Sequence, residues 1–268
     1  MIKRVLSVII MIILVGGYGY FLYLYEQEDT NEAPRIEFEA SHMEMSVADD
    51  ASRLLEGVSA YDREDGDLTA EIIVDSISTF DDEKNRTVRY VVFDKDNKAA
   101  EATRTISYTD YTAPKLQFTD SLIQDSITVS KINKIAGAVS CVDGDISNNV
   151  EVKIGTLQDN KMILKFSVQD STGTEENLSV SYEYDRNVYN TKICLTEYLM
   201  YLPAGQVYDF STNVSEIQQR SVDVPSLREY VVIENNVDFN TPGIYEVYYY
   251  LSDAAGTDAR TKGIVVIE

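Results

Sequence analysis

The residues with the clearest capacity for chemistry are carboxylates in one short loop. Asp62, Glu64, Asp65 and Asp67 lie close together around a glycine. Several carboxylate oxygens in a tight loop could bind Ca²⁺, and Asp62, Asp65 and Asp67 are the candidate ligands. The alternative is that these side chains cap turns and face water, since Asp and Gly are ordinary turn residues. The loop lacks the Glu and the helices of an EF-hand, which favours turn capping.

A second group of candidates consists of tyrosines near the end of the chain. Alternation along a strand places Tyr248 and Tyr250 on one face and Tyr245, Val247 and Tyr249 on the other. The second set is predicted to be core. Tyr248 and Tyr250 are predicted to be exposed, where tyrosine suits the binding of a partner.

The sequence contains no recognisable catalytic or cofactor-binding pattern. His42 is the sole histidine, no serine or cysteine nucleophile motif flanks it, and we expect it on a surface loop. No Gly-rich phosphate loop follows a strand, and no CxxC pattern occurs. The sequence therefore predicts a protein that is not an enzyme and holds no cofactor. Cys141 and Cys194 are expected as separate thiols, with Cys141 buried in a strand; a bridge between adjacent domains is the alternative.

Composition narrows the class of partner. The net charge is −22, which disfavours nucleic acid and anionic lipid surfaces because like charges repel. Apolar residues make up 44% of 268 residues, which is enough for packed cores in two or three domains. The many Tyr, Val, Ile and Thr residues favour strands over helices.

The amino-terminal segment has the pattern of a membrane anchor. Lys3 and Arg4 precede an uncharged, mostly apolar run over residues 5–25, and acidic residues follow it. Such a run is long enough for one membrane-spanning helix, with the amino terminus in the cytoplasm and the remainder outside. A cleaved signal peptide is the competing interpretation, although Gly17-Tyr18-Gly19 is a poor cleavage site. Both interpretations predict an extracytoplasmic chain.

Three copies of one strand pattern organise the remainder of the chain. Each copy has apolar or aromatic residues six, four and two positions before an Asp, which is the period of a half-buried strand. Asn or Gly follows three residues after that Asp, as turns require. A further strand then follows, so each copy predicts a hairpin. The anchoring residues are Asp94, Asp170 and Asp253.

The hairpins divide the chain into tandem domains. We expect an anchor over residues 1–26, a stalk over 27–33 and Ig-like domains over 34–111, 112–186 and 187–268. Short strands with frequent turn signals predict an all-β class of antiparallel sandwiches behind one amino-terminal transmembrane helix.

Several of these segments together resemble a known family. They are Asp62 to Thr69, Val237 to Val247 and Asp253 to Gly256, with a shortened acidic loop at Val142 to Ile146. They are similar to bacterial Ig-like domains related to the hyalin repeat, which also occur in pesticidal crystal proteins and many surface proteins. The resemblance implies an Ig-like sandwich used as a spacer or adhesive module.

The sequence thus predicts a single-pass bacterial surface protein of the cell membrane, with its carboxy-terminal part outside. Its modules are expected to act as a structural spacer or as an adhesive surface for a protein or a cell-wall glycan. The alternative is a ligand-binding or regulatory component of an envelope system, such as cell-wall assembly or secretion. Asp143 and Asp145 are weaker metal candidates than the first loop.

Overall fold

The computed structural model describes the backbone of residues 2–28, 32–124, 128–158, 161–185, 189–252 and 258–268. Side chains are described for residues 9–23, 32–124, 128–156, 161–185, 189–252 and 259–268. The predicted domain boundary at 186 and 187, residues 29–31 of the predicted stalk and the predicted turn from Asp253 to Gly256 lie outside the described residues.

The chain begins with helix α1, Ile2–Glu28. Its described side chains, residues 9–23, are all exposed. The sequence predicts a membrane span over residues 5–25. In the described part of the chain, however, no helix combines the length and the apolarity needed to cross a membrane. The helix is confirmed, and the span is not supported.

Beyond the helix the described residues form three β-sandwiches, each pairing a three-stranded with a four-stranded sheet. The predicted all-β class with tandem sandwiches is therefore confirmed. The first sandwich contains strands β1 Arg35–Phe38, β2 His42–Met45, β3 Val58–Asp62, β4 Gly66–Asp67, β5 Ile73–Ile77, β6 Asn85–Phe93 and β7 Ala99–Tyr108.

The second and third sandwiches repeat this order. The second contains β8 Lys115–Phe118, β9 Ile123–Gln124, helix α2 Val129–Ile135, β10 Ala136–Ser140, β11 Gly144–Asp145, β12 Glu151–Gln158, β13 Lys161–Gln169 and β14 Glu175–Tyr184. The third contains β15 Thr191–Leu195, β16 Leu199–Leu202, β17 Val214–Gln219, β18 Val222–Asp223, β19 Val231–Asn235, β20 Gly243–Ser252 and β21 Asp258–Ile267. Short 3₁₀ helices occur at Ala51–Leu55, Thr69–Glu71, Ser147–Asn149, Phe210–Asn213 and Pro225–Tyr230.

The three predicted hairpins are present as β6–β7, β13–β14 and β20–β21. Their inward positions are those that the repeat pattern predicts, and none is more than 2% exposed: Val88, Tyr90, Val92, Leu164, Phe166, Val168, Val247, Tyr249 and Leu251. Burial of one such side chain contributes roughly 1.5–3 kcal/mol. The repeated apolar alternation therefore builds the core of each sandwich.

The turns of the first two hairpins use the predicted Asp and its partner three residues on. Asp94 Oδ1 accepts a hydrogen bond of 2.7 Å from the backbone of Lys98, and Asn97 has φ 65°. Asp170 Oδ1 accepts one of 2.9 Å from the backbone of Thr172, and Gly173 has φ 82°. Both carboxylates are buried, and the hydrogen bonds from the backbone that each one caps stabilise them there.

Each sandwich also contains one parallel strand pair, which the sequence did not predict. The opening strand is split, so that its first half joins one sheet and its second half joins the other. The second half runs parallel to the last strand, in the pairs β2–β7, β9–β14 and β16–β21. All other strand pairs among the described residues are antiparallel.

The chain divides into two compact units, residues 1–109 and 110–268. The first unit holds the first sandwich and its own apolar core. The second unit holds both remaining sandwiches around a single continuous core, to which Leu116 and Phe166 contribute from one sandwich and Ile193 and Tyr249 from the other.

Candidate functional site

The acidic loop of the first sandwich forms the turn between β3 and the 3₁₀ helix Thr69–Glu71. Asp62 is 1% exposed, and its Oδ1 accepts hydrogen bonds of 2.8 Å from the backbone of Glu64 and of Asp65. Asp67 Oδ1 accepts one of 2.9 Å from the backbone of Thr69. Hydrogen bonding by the side chain and then the backbone of Thr69 lowers the pKa of Asp67. These two carboxylates cap the turn, which is the alternative to Ca²⁺ binding that the sequence favours.

The third candidate ligand, Asp65, is engaged by a lysine. Its carboxylate accepts 2.7 Å and 2.8 Å hydrogen bonds from the side chain and the backbone of Lys95, and these bonds lower the pKa of Asp65. Asp62 Oδ2 is buried and accepts no hydrogen bond from a described residue. Among the described residues, no three His, Cys, Asp or Glu side chains converge as a metal site would require.

The second sandwich builds the same turn with fewer acids. Ser140 stands where the first sandwich has Asp62, and its Oγ accepts bonds from the backbone of Val142 and Asp143. Asp143 Oδ2 accepts a 2.7 Å bond from Ser171, and Asp145 Oδ1 one of 2.9 Å from Ser147. Asp145 is therefore a turn cap, and Asp143 joins this turn to the turn between β13 and β14.

The third sandwich makes an equivalent turn that its sequence did not reveal. Arg220 and Ser221 adopt φ 49° and 65°, which supplies without glycine the left-handed backbone of a tight turn. Asp223 Oδ1 accepts a 3.0 Å bond from the backbone of Ile217 and closes the turn. The front half of this domain thus follows the same plan without the acidic loop.

His42 lies on strand β2 rather than on the predicted loop. Its ring nitrogens are 3.0 Å from Thr105 Oγ1 and 3.1 Å from Ser107 Oγ, and the side chain is exposed. The imidazole is thus held flat on a sheet by two hydroxyl groups of β7. The described contacts include no carboxylate on the ring, which a catalytic triad would need to orient the base.

Tyr248 is the predicted binding residue whose position differs most from the prediction. Its hydroxyl contacts the carboxylate of Glu183 on the second sandwich and lies 2.8 Å from Glu246 Oε2. Its ring stacks on that of Tyr250, with centroids 6.1 Å apart. Tyr248 is therefore half-buried between the second and third sandwiches, because it packs against strand β14 rather than facing an external partner. Tyr250 is half-buried at the edge of the same contact.

Tyr248 belongs to a set of charged and polar residues that we call the junction cluster: Lys161, Ser181, Glu183, Glu246, Tyr248, Arg260 and Lys262. Lys262 is 1% exposed, and its Nζ donates hydrogen bonds of 2.6 Å and 2.8 Å to Ser181 O and Oγ and one of 3.1 Å to Glu246 Oε1. Arg260 Nη2 donates a 2.6 Å bond to Glu183 Oε2. The buried charges are thus paired and hydrogen-bonded across the junction.

The junction cluster changes the titration of its members. Burial alone would raise the pKa of Glu183, but the Tyr248 hydroxyl and the charges of Lys262 and Arg260 lower it to about 2. Burial lowers the pKa of Lys262, in spite of the opposite effect of Glu246. Burial and the two carboxylates raise the pKa of Tyr248. The carboxylate of Glu183 therefore stays charged over the physiological range.

A groove of about 420 Å³ lies between the second and third sandwiches, along strands β8 and β16. Lys115 lies over the Tyr201 ring at 4.3 Å and pairs with Glu268. The Tyr201 hydroxyl donates a 3.5 Å bond to Glu176, and burial raises the pKa of Tyr201. The residues that line the groove thus include the Tyr201 ring, the Lys115 cation and the Glu197 carboxylate.

The two cysteines are free thiols in the structure. Cys141 is half-buried in the turn after β10, so the prediction of a thiol buried in a strand is wrong. Its sulfur donates a 3.1 Å hydrogen bond to Thr112 O, because the turn folds back on the segment that enters the sandwich. Cys194 lies half-buried on β15, and burial raises its pKa.

Comparison with known proteins places the chain only broadly. No family model matches it, and no curated protein matches it. Solved structures show distant similarity to tandem β-sandwich domains, which is the coarser part of the predicted family resemblance.

One similar structure contains the CBM51-2 domain in complex with GlcNAc and the INT domains of Clostridium perfringens ZmpB. It is 18% identical with a TM-score of 0.24, and the match covers 59% of this chain and 30% of that chain. The protocadherin GammaB4 extracellular domain is 12% identical with a TM-score of 0.20, covering 89% and 49%. Human CDH23 EC21-23 is 10% identical with a TM-score of 0.20, covering 87% and 100%. Values this low support no transfer of a ligand or partner to this chain.

Proposed function

We propose that this protein is a non-catalytic spacer of the bacterial cell surface, in which the second and third sandwiches act as one rigid element. The observation that carries the proposal is the junction cluster, where Lys262 and Glu183 are buried and paired between sandwiches that share a core. A flexible link would leave these charges solvated, whereas their burial requires one fixed geometry. Rigidity of this kind suits a part that holds other components at a set distance.

The test is the distribution of distances across residues 110–268 in the full chain. Spin labels are placed at the exposed positions Asn148 and Asn240, by Asn→Cys substitution in a background with Cys141→Ser and Cys194→Ser. Pulsed electron paramagnetic resonance is expected to give one narrow distance distribution. A broad distribution would refute the rigid spacer.

The location outside the cytoplasm is part of the proposal. It is supported by Lys3 and Arg4 before the uncharged residues 5–25, with acidic residues after them. Protease added to intact, wall-stripped cells is expected to digest the sandwiches, with a cytoplasmic enzyme as the protected control. Protection of the sandwiches until the cells are lysed would exclude this location.

A second candidate function is ligand binding in the groove beside Tyr201. Aromatic walls with nearby polar groups suit sugars and peptides, so a cell-wall glycan is the ligand class we would try first. Soluble peptidoglycan fragments are added to the isotope-labelled chain, and the backbone chemical shifts of wild type and of Tyr201→Ala are followed by NMR spectroscopy. Chemical-shift changes that are confined to β8 and β16 and vanish in the variant would favour this function. Without such changes, the spacer would be the one function that is supported.

A further inference from the structure

The parallel strand pairs differ in length among the three sandwiches. In the first, β2 is in register with β7 over the four pairs from His42–Thr105 to Met45–Tyr108. In the third, β16 is in register with β21 over four pairs. In the second, the described residues are in register over two pairs, Ile123–Glu183 and Gln124–Tyr184.

These pairs join the strands through which tension would enter each sandwich. When a chain is pulled at both ends, the opening strand is drawn one way and the last strand the other. Because the two strands run parallel, they are loaded along their length, and their evenly spaced hydrogen bonds resist together. Resistance therefore grows with the number of pairs, and by the pairs among the described residues the second sandwich alone would be the weakest of the three.

Lys262 of the third sandwich contacts the second sandwich just before the two described pairs of β9 and β14. Its backbone N–H donates a 3.0 Å bond to Ser121 Oγ, two residues before β9, and Ser121 Oγ lies 3.4 Å from Lys262 O. Its ammonium donates a 2.6 Å bond to Ser181 O on β14. One buried residue thus holds the ends of both strands that tension would pull apart.

We infer that the chain bears tension and that the third sandwich stabilises the second against mechanical unfolding. We call this arrangement the lock, and the bonds of Lys262 to Ser121 and Ser181 form it. The inference deepens the proposed spacer, since it gives that spacer a load. While the third sandwich is folded, β9 and β14 cannot slide past each other unless they break the bonds to Lys262. Residues 110–268 therefore unfold under force as one unit.

The test is single-molecule force spectroscopy of the full chain held at its two ends. For wild type we expect one step with a gain in extended length of about 260 Å from the first sandwich and one joint step with a gain of about 540 Å from residues 110–268, at roughly 3.3–3.6 Å per residue. Lys262→Met, which keeps the volume and removes the ammonium, is expected to split the joint step into two. The first of these has the lower force, because the second sandwich gives way early.

Lys192→Met is the matched control. It removes the exposed ion pair of Lys192 with Asp120, which also joins these two sandwiches, and should leave the joint step whole. Circular dichroism checks that each variant folds. If Lys262→Met does not fold, Ser121→Ala replaces it and should lower the force of the joint step. Separate steps in wild type, or a joint step unchanged in both lock variants, would overturn the lock. Even then, a narrow distribution of distances between the spin labels at residues 148 and 240 would still support the rigid spacer.

Discussion

The Lys262 ammonium donates a 2.6 Å hydrogen bond to the backbone oxygen of Ser181, across the junction of two sandwiches. The acceptor is a main-chain atom, so no side-chain change at Ser181 removes it. The same ammonium is 3.1 Å from Glu246 and 3.6 Å from Glu183. Loss of any one carboxylate leaves a buried cation with fewer partners.

Glu183→Gln is expected to destabilise residues 110–268 by about 3 kcal/mol, because it removes the carboxylate that pairs with the half-buried Arg260 and one of the two carboxylates beside the buried Lys262. Chemical denaturation followed by tyrosine fluorescence measures the change. Asp75→Asn is the control, since it removes a partly exposed ion pair with Arg89 and should cost less than about 1 kcal/mol. Equal effects of the two variants would contradict the importance of the junction cluster.

Stability should depend on pH through Glu183. The pKa of this group is 4.5 in the reference state and about 2 in the fold, so its contribution is fully present above pH 4.5 and is lost as the pH falls from there towards 2. The difference in unfolding free energy between wild type and Glu183→Gln should therefore shrink across that window. Denaturation series at several pH values measure it. A constant difference would show that Glu183 does not titrate as described.

Tyr90→Phe is expected to destabilise the first sandwich by about 1–3 kcal/mol. The Tyr90 hydroxyl accepts a 2.9 Å bond from the buried Arg104 Nε, which the variant would leave without that acceptor. Tyr249→Phe removes a hydroxyl at the same repeat position, where its bonds to Asn213 and Phe210 are longer, at 3.5 Å and 3.3 Å. Thermal melting should show the larger loss for Tyr90→Phe, and the reverse order would refute this account.

Leu164→Ala and Ile163→Ala form a matched pair on one strand. Leu164 is fully buried, so Leu164→Ala should lower the free energy of unfolding by about 2–5 kcal/mol. Ile163 is 47% exposed, so Ile163→Ala should change it by less than about 1 kcal/mol. Urea denaturation of both variants measures the contrast. Similar losses would mean that the inward face of β13 has been assigned wrongly.

Calcium is expected to raise the melting temperature by less than about 4 °C. Asp65 is occupied by Lys95, and Asp67 caps the backbone of Thr69, so few free oxygens remain for a cation. Asn at both positions can still accept the backbone bonds, so the double variant Asp65→Asn, Asp67→Asn should melt close to wild type. Melting in chelator and in calcium tests both statements. A larger calcium shift that the double variant abolishes would establish a metal site.

The parts of the fold that local sequence encodes were predictable. Burial of Val88, Tyr90 and Val92 follows from a period of two, and the turn at Asn97 follows from residues that tolerate positive φ. The position of Tyr248 was not predictable in this way. Its partner Glu183 lies 65 residues earlier, and alternation identifies the face of a strand without identifying what covers that face.

The parallel pairs were missed for a related reason. In the part of the chain that the structure describes, strand β9 has two residues, Ile123 and Gln124, too few to show a period. The turn at Ser221 was missed because a left-handed backbone was expected at Gly or Asn, and this turn uses Arg220 and Ser221 instead. Distant pairing and strained backbone leave little trace in a single sequence.

The shared core of residues 110–268 also limits how this protein can be recombined. Tandem modules are commonly exchanged one at a time, at the short segments that join them. A breakpoint after β14 would leave Lys262 facing a foreign surface without Ser181 and Glu183, and a buried cation without partners is strongly destabilising. Genes that exchange this region are therefore expected to exchange both sandwiches together, with the tolerated joint near Thr109 and Asp110.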